Sequence, residues 1–431
     1  MRRTHRLRWQ AAAVMTVAAF TVAACSSGSS SSPGAASSSN SSAALTASAP
    51  GITPTQITIG SHQPLTGPAA PGYSEIAPAS AAYFAYVNAH GGVNGRKIVY
   101  KYLDDGYNPT KTASVVRQLV LQDSAYAMFD GLGTPTHLAA ISFLNAQKVP
   151  DVFVASGCTC WNDQAKYPQT FGYNLDYVRE GKILGQYVKQ HFAGKKVGFF
   201  YQNDEFGMDG VKGLLDEIPA SMVVSKQSYD PTNVNVGPAV AALLKLNSLK
   251  LGFNPTLVVS NVGSDPITLS GLLEAYAKQG GAKVNGNQLI NGMISDGYLP
   301  TLGAPGNSWI ALFKKVHDQY DPKAPLDGNV LYGMATGYTF VQAMFKAGRN
   351  PTRADLVSAI QKGLPQGPSV APYAYSSSDH SGSTGAFMAV IQNGQLVQQG
   401  SVLTTDDSAS GAISTFSGSE QQAPASGIPS P

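Results

Sequence analysis

The stretch from Met128 to Trp161, MFDGLGTPTHLAAISFLNAQKVPDVFVASGCTCW, limits the folds open to this chain more than any other. It reads as strand, tight loop, helix, strand, tight loop. The first strand ends at Phe129-Asp130, and Gly131 and Gly133 permit a sharp turn. Thr134 suits a helix cap and Pro135 the first turn, where a missing N–H costs nothing. Leu138, Ile141 and Leu144 follow at helical spacing. Val149 to Ala155 is a short apolar run with Pro150 ahead of Asp-Val-Phe-Val, which reads as a buried parallel strand. Both loops, Gly131–Thr134 and Ser156–Cys160, then leave the C-terminal edge of one sheet, where open α/β sheets bind ligands. Small hydroxyl-bearing loops with free backbone N–H groups suit a small anion such as a carboxylate. Gly131-Leu-Gly-Thr-Pro-Thr136 lacks the third glycine and the downstream acid of a dinucleotide fingerprint, so no nucleotide cofactor is expected.

The amino terminus bears on compartment. Arg2, Arg3, Arg6 and Arg8 precede an apolar run from Trp9 to Ala24, closed by Val22-Ala-Ala-Cys25. The run is shorter than the roughly 20 residues that span a bilayer comfortably, and its flanks are those of a signal peptide over residues 1–24. Small residues ahead of a cysteine resemble the lipobox of bacterial lipoproteins, in which Cys25 becomes the acylated first residue. The protein is therefore expected outside the cytoplasm, held by lipid on the outer face of a bacterial cell membrane. Residues 25–50 are almost entirely Ser, Ala and Gly after the cysteine and read as a flexible tether. Residues 405–431 are rich in Ser, Gly, Ala and Pro and read as a disordered tail. With 13% charged residues, a net charge of +3 and no basic run beyond the first eight residues, nucleic-acid binding has no support.

Between these ends, strands and helices alternate. Gly51 to Gly60 and Ile98 to Leu103 read as strands, and Ile76–Asn88 and Asn108–Asp123 as helices. The Asn94-Gly95 pair marks a turn. Asp104-Asp105 reads as a turn rather than a catalytic carboxylate pair, since adjacent residues point apart and Gly106 follows. A second series begins after Phe171–Asp176: helix from Gly181 to His191, strand from Lys196 to Tyr201, loop from Asp204 to Gly210, helix from Val211 to Ile218, and strand from Val223 to Tyr229. A helix at Gly237–Asn247, a strand at Thr256–Val259 and a helix from Pro266 to Lys278 continue it. Helices at Trp309–Tyr320 and Tyr332–Ala347 and a strand at Ala386–Gln392 complete the set. Such alternation predicts parallel sheets in both halves.

The order of Pro-Leu-Thr-Gly-Pro68, Tyr-Phe-Ala-Tyr-Val-Asn88, Gly-Gly-Val-Asn-Gly-Arg-Lys97, Asp-Asp-Gly-Tyr-Asn-Pro-Thr-Lys-Thr112, Gly-Thr-Pro-Thr136, Tyr-Gln-Asn-Asp-Glu-Phe-Gly207 and Asp-Gly-Tyr298 resembles the substrate-binding lipoproteins of ABC importers of the branched-chain amino acid type. The resemblance covers roughly residues 51 to 400. It implies two doubly wound α/β lobes joined by a three-strand hinge, the type I periplasmic binding protein fold. Residues 51–172 and 299–366 would form lobe 1, and residues 173–298 and 367–404 lobe 2. It implies a solute receptor rather than an enzyme, with a small-molecule ligand, ABC permease subunits as partners, and neither cofactor nor metal. A sensing receptor on the same fold is the alternative.

For an amino-acid ligand, Thr134, Ser156 and the neighbouring amides would take the carboxylate, with Cys158 on the same loop. Capping is the other use open to Thr134. Asp176 resembles the family's ammonium-binding aspartate, and Asp296 lies near its second acidic position, usually glutamate. Tyr73 and Phe206 match aromatic positions on opposite sides of the cleft, with Tyr298 a further candidate; ordinary packing is the other reading of each. Once Cys25 is acylated, Cys158 and Cys160 are the two thiols left in an oxidising compartment, which favours a disulfide that stiffens the loop. A metal site needs more ligands than two thiols. No catalytic motif of the Ser-His-Asp, His-Glu-x-x-His or P-loop kind occurs.

Overall fold

The computed structural model describes residues 44–230, 258–259, 291, 294–393 and 395–430. Cys25 and the helices expected at Gly237–Asn247 and Pro266–Lys278 lie outside the described residues. The elements in chain order are β1 (Gln56–Gln63), α1 (Ile76–Ala89), β2 (Lys97–Asp104), α2 (Pro109–Leu121), β3 (Ala127–Phe129), α3 (Thr134–Ala146), β4 (Asp151–Val154) and β5 (Thr170–Gly172). Then come α4 (Tyr177–His191), β6 (Val197–Gln202), α5 (Glu205–Glu217), β7 (Val223–Tyr229), β8 (Val258–Val259) and β9 (Ile294–Gly297). The last are α6 (Ser308–Tyr320), α7 (Gly328–Ala347), α8 (Arg353–Gln361), β10 (Gly385–Gln392), β11 (Gln395–Thr404) and β12 (Ser414–Thr415).

The first body is built on a parallel sheet ordered β2-β1-β3-β4-β5. Helices cover both faces. On one, Phe129 and Val152 pack with Tyr83 and Phe84 of α1 and Phe340 of α7. On the other, Met128 packs with Val116 and Leu119 of α2 and Leu144 of α3. A strand with both faces buried reads as a continuous apolar run, which is what Ala-Met-Phe at β3 is. Strand order reverses between β1 and β3, and the crevice of such a sheet opens where the chain leaves these strands.

The second body has a separate core, in which Leu175, Ile183, Phe199, Leu214 and Met388 meet. β6 lies parallel between β7 and β8, while β10 pairs antiparallel with β9 and β11. α4 and α5 pack almost backbone to backbone: a side chain at Gly213 would fall 2.1 Å from the Val178 carbonyl oxygen.

Several expectations need correction. The Asp204–Gly210 segment is not a loop; α5 starts at Glu205 because Asp204 Oδ1 accepts the Phe206 N–H at 3.1 Å, a side-chain cap on an end that would otherwise lack a partner. Likewise α4 starts at Tyr177, ahead of the glycine from which the helix was expected, capped by Asp176 Oδ1 on the Arg179 N–H at 2.9 Å. α8, with its Thr352/Asp355 capping box, and the polar strand β11 were not anticipated. The tether does not run free as far as Pro50: Ser48 Oγ donates to the Pro351 carbonyl at 2.8 Å and Arg96 holds the Thr46 carbonyl at 2.9 Å.

The tail is the largest correction. Residues 405–430 are not disordered but laid on the protein. The Lys182 ammonium, fully buried, donates to the carbonyls of Asp406, Ser408 and Gly411 at 2.8, 2.6 and 3.0 Å, and β12 pairs with β11. The chain then returns to the first body, where Trp309 Nε1 donates to the Gln421 carbonyl at 2.6 Å, and the hydroxyls of Tyr86 and Tyr83 donate to the Ser426 and Gly427 carbonyls at 2.6 and 2.9 Å.

Candidate ligand cleft

The loops after β3 and β4 do meet. Gly133, not Thr134, is the N-cap of α3, and no side chain caps that end. The Thr134 hydroxyl is therefore left for the Ser156 hydroxyl, 2.6 Å away, and both are buried. Ser156 Oγ also accepts the Cys158 N–H at 3.3 Å, while the Ser156 carbonyl accepts Trp161 Nε1 at 2.8 Å. Cys158 and Cys160 are joined as a disulfide, with Cys158 buried.

Beneath these loops runs a buried polar chain that sequence reading did not find. His62 Nδ1 lies 2.8 Å from Asp105 Oδ2, His62 Nε2 lies 2.9 Å from His137 Nδ1, and His137 Nε2 lies 2.8 Å from Asp151 Oδ2. Thr170 and Thr112 donate to the outer oxygens, each at 2.8 Å. The Asp104-Asp105 turn is real, with Asp105 Oδ1 accepting the Tyr107 N–H at 2.8 Å, but Asp105 also anchors this chain. Loss of hydration pushes the His62 imidazole down, while the Asp105 carboxylate beside it pulls the other way. A side chain at Gly131 would lie 2.6 Å from His62 Nε2 and 2.8 Å from His137 Nδ1, so the first loop rests directly on the histidine pair.

From the second body, Tyr177 approaches the same spot. Its N–H donates to the Gly157 carbonyl at 2.7 Å and its ring lies 4.7 Å from that of Phe206. Burial pushes its hydroxyl up, while the Gly157 backbone and the Ser156 hydroxyl beside it pull the other way. Tyr298 packs against both cores, with Tyr177, Glu180, Asp296 and Tyr73 as its electrostatic neighbours. Glu180 and Asp296 face one another, and loss of hydration drives both carboxyls upward.

The structure thus gathers Thr134, Ser156, Cys158, Tyr73, Phe206, Asp296 and Tyr298 around one region. Asp176 is the exception. Its Oδ1 caps α4, and its Oδ2 lies 3.0 Å from Arg179 Nε; burial still pushes it up to about 6. An aspartate already holding a helix end and a guanidinium is not disposed to take a ligand ammonium. Glu180, one turn further along α4, faces Asp296 instead, beside Tyr298. No sequence signal marked it, since its partner Asp296 is remote in the chain.

Two further contacts cross between the bodies. Thr159 meets Asp209 of α5, and Gln202 Nε2 lies 3.5 Å from the Tyr107 hydroxyl. The bodies are thus in direct contact at Thr159–Asp209 and at Gln202–Tyr107.

The family description "Periplasmic binding protein" matches residues 56–395, most of the two-body unit. The chain belongs to the periplasmic binding protein family. This periplasmic binding protein is 24% identical over 324 residues to the Leu/Ile/Val-binding protein homolog 1 of Brucella suis, covering 71% of this chain and 83% of that one. It is 25% identical over 203 residues to homolog 3 of Brucella melitensis, covering 44% of this chain and 51% of that one, so it spans about half that relative's length. Solved structures share the fold. A branched-chain amino acid ABC transporter protein of Thermus thermophilus with bound valine has a TM-score of 0.68 at 18% identity, covering 82% of this chain and 98% of that one. A solute-binding protein of R. palustris in complex with benzoate has a TM-score of 0.65 at 17% identity, covering 80% and 96%. These likenesses show the type I fold, with its parallel sheets and two lobes.

Proposed function

We propose that this periplasmic binding protein is an extracytoplasmic solute receptor. It traps one small polar ligand, an amino acid or a related small carboxylate or amide, by hinge closure and delivers it to the permease of an ABC importer. The observation that carries this reading is the meeting of Ser156 and Tyr177, which brings the hydroxyl-bearing loops of the first body against the buried carboxyls of the second. In this reading Thr134, Ser156 and the amides around Cys158 take the ligand carboxylate, Asp296 faces its nitrogen, and Tyr73, Phe206 and Tyr298 enclose its side chain. The protein binds and releases without catalysing a reaction. Cys25 carries the lipid that keeps it at the membrane surface.

A thermal-shift screen of the detergent-purified protein, unfolded and refolded to strip carried-over ligand, tests the reading. Amino acids, short amides, urea, benzoate and sugars form the panel. A ligand at 100 times its dissociation constant adds about 2.7 kcal/mol, which moves the midpoint of a chain this size by about 4 °C. No shift across the panel counts against the reading. Mass spectrometry of the mature N-terminus tests the acylation of Cys25.

A further inference from the structure

We infer that His62 and His137 share one added proton, and that this proton seats both ligand loops of the first body, so that the protein holds its ligand less tightly once the proton is gone. The effect on binding rests on the receptor reading; the shared proton does not.

The buried chain makes three contacts through ring nitrogens: His62 Nδ1 to Asp105 Oδ2 at 2.8 Å, His62 Nε2 to His137 Nδ1 at 2.9 Å, and His137 Nε2 to Asp151 Oδ2 at 2.8 Å. Each is a hydrogen bond only if a hydrogen lies on it. A neutral imidazole carries one N–H, so two neutral rings supply two hydrogens for three contacts. If both point at the carboxyls, the facing ring nitrogens meet lone pair to lone pair. If one points inward, a ring lone pair faces a carboxyl oxygen. Turning either ring over would put carbon at its contacts instead. The carboxyls themselves stand as acceptors. Asp105 Oδ1 accepts the Tyr107 N–H at 2.8 Å. Asp151 Oδ2 accepts the Thr170 hydroxyl at 2.8 Å, and that hydroxyl's oxygen accepts Asn145 Nδ2 at 2.9 Å. The third hydrogen therefore belongs to the rings, which together form an imidazole–imidazolium pair between two acids.

The proton lies directly under the ligand loops, because the two atoms that share it are the two that a side chain at Gly131 would strike. The Leu132 N–H donates to the His62 carbonyl at 3.3 Å, and the helix that carries His137 opens with Thr134. The Gly131 carbonyl accepts the Ala155 N–H at 3.0 Å, and the Gly133 N–H donates to the Ala155 carbonyl at 3.2 Å, which ties the first loop to the residue before Ser156. Without the proton, repulsion between lone pairs parts the rings and shifts the backbone that holds Thr134 and Ser156 together. Burial works against the proton and Asp105 holds it, so its release is expected between about pH 6 and pH 9. Other charged groups around the pair are turned elsewhere. Asp104 holds Lys111 at 2.7 Å, Arg117 of α2 lies over the Phe143 ring, and His380 reaches the Thr170 carbonyl at 2.9 Å. Asp130, buried at the end of β3, is the further carboxyl next to the first loop.

The test has two parts, both on the detergent-purified protein. Magnetic resonance of wild type carrying isotope-labelled histidine should show a scalar coupling across the N–H···N bond of the pair at about pH 6.5, with three N–H hydrogens on the two rings. Two hydrogens, or no coupling, overturns the inference. Affinity for L-valine is then read from about pH 6 to pH 8.5 on wild type, His137→Gln and Asp130→Asn. The Gln amide carries hydrogens for both Asp151 and His62 without an added proton. Wild type should lose at least about fivefold in affinity over this range, by linkage to the proton, and His137→Gln should change less than about twofold. Asp130→Asn should keep the wild-type loss. A purely structural pair would leave wild type and His137→Gln with parallel profiles, and that result overturns the inference while leaving the receptor reading intact. If His137→Gln does not fold, the wild-type midpoint for L-valine must match that of the ring coupling, and a mismatch overturns the inference. Benzoate is the second probe where L-valine does not bind. Binding of neither counts against the receptor reading, and the coupling still decides the proton.

Discussion

Thr159 donates both its backbone N–H and its hydroxyl to a single oxygen of Asp209, at 2.8 and 2.9 Å, and the two residues belong to different bodies of the protein. Thr159 is the middle residue of the Cys158–Cys160 ring. The disulfide thus presents, from the floor of the first body, a pair of donors aimed at α5 of the second. Hydrogen bonds to a charged acceptor contribute about 1.5–3 kcal/mol, and this pair exists only while the bodies touch.

Asp209→Ala should therefore shift the population towards open forms and weaken ligand binding by about tenfold or more, most of it as faster release. Asp209→Asn, which keeps an acceptor, should lose less. Stopped-flow release of bound ligand and small-angle scattering of the ligand-free protein read the two effects. Reduction of the disulfide should act in the same direction as Asp209→Ala and add little to it, because both act through Thr159.

His137→Phe keeps a ring against Trp161 but leaves Asp151 and His62 without their shared partner. Removing one member of a buried charged network costs about 3–5 kcal/mol. The denaturant midpoint should fall accordingly with the slope unchanged. A loss under about 1 kcal/mol would mean that the chain from Asp105 to Asp151 is not held together as its distances indicate.

Asp176 supplies a pH prediction with a definite sign. Burial raises its folded value from 3.8 to about 6, so the folded protein holds this proton more tightly than the unfolded chain does. Its contribution to stability is full below about pH 4 and is lost as pH rises through about 6, amounting to about 3 kcal/mol by neutrality. Asn at this position keeps the helix cap and removes the titration. The melting-point difference between wild type and Asp176→Asn should therefore move in favour of Asn between pH 4 and pH 6 and be flat above pH 7. A difference independent of pH would show that Arg179 fully compensates the charge.

Lys182→Met keeps an apolar stem of similar length and removes the ammonium that three tail carbonyls share. Hydrogen exchange should quicken across residues 405–415, and proteases should cut there first. A stability loss of about 1–3 kcal/mol is expected.

Much of the first body was legible because its signals are local. Asn108-Pro109 marked the start of α2 and the glycines around Leu132 marked a strand-to-loop exit, while in the second body Val223–Tyr229 was read at its observed bounds. Thr134 and Ser156 were legible as a pair because parallel strands bring both exits to one edge. What was missed depends on partners distant in sequence. A capping aspartate and a ligand aspartate look alike until Arg179 is seen at Asp176. Glu180 gains meaning only from Asp296, and Asp105 only from His62. The tail misled for a related reason: Ser, Gly and Ala offer little side chain to bury, yet their carbonyls satisfy the Lys182 ammonium, the Trp309 indole and two tyrosine hydroxyls, and that need belongs to the rest of the protein.

The tail also limits how far the two bodies can travel. It leaves the second after Phe416, whose N–H donates to the Val402 carbonyl at 2.9 Å, and is first gripped by the other body at Glu420, whose Oε1 accepts Asn307 Nδ2 at 2.8 Å. The four steps from Phe416 to Glu420 reach at most about 14 Å when fully extended. That slack is a mechanical stop, separate from the hinge strands, on how wide the jaws can swing while both grips hold. In the proposed receptor, that stop sets the widest opening through which a solute can enter while both grips hold.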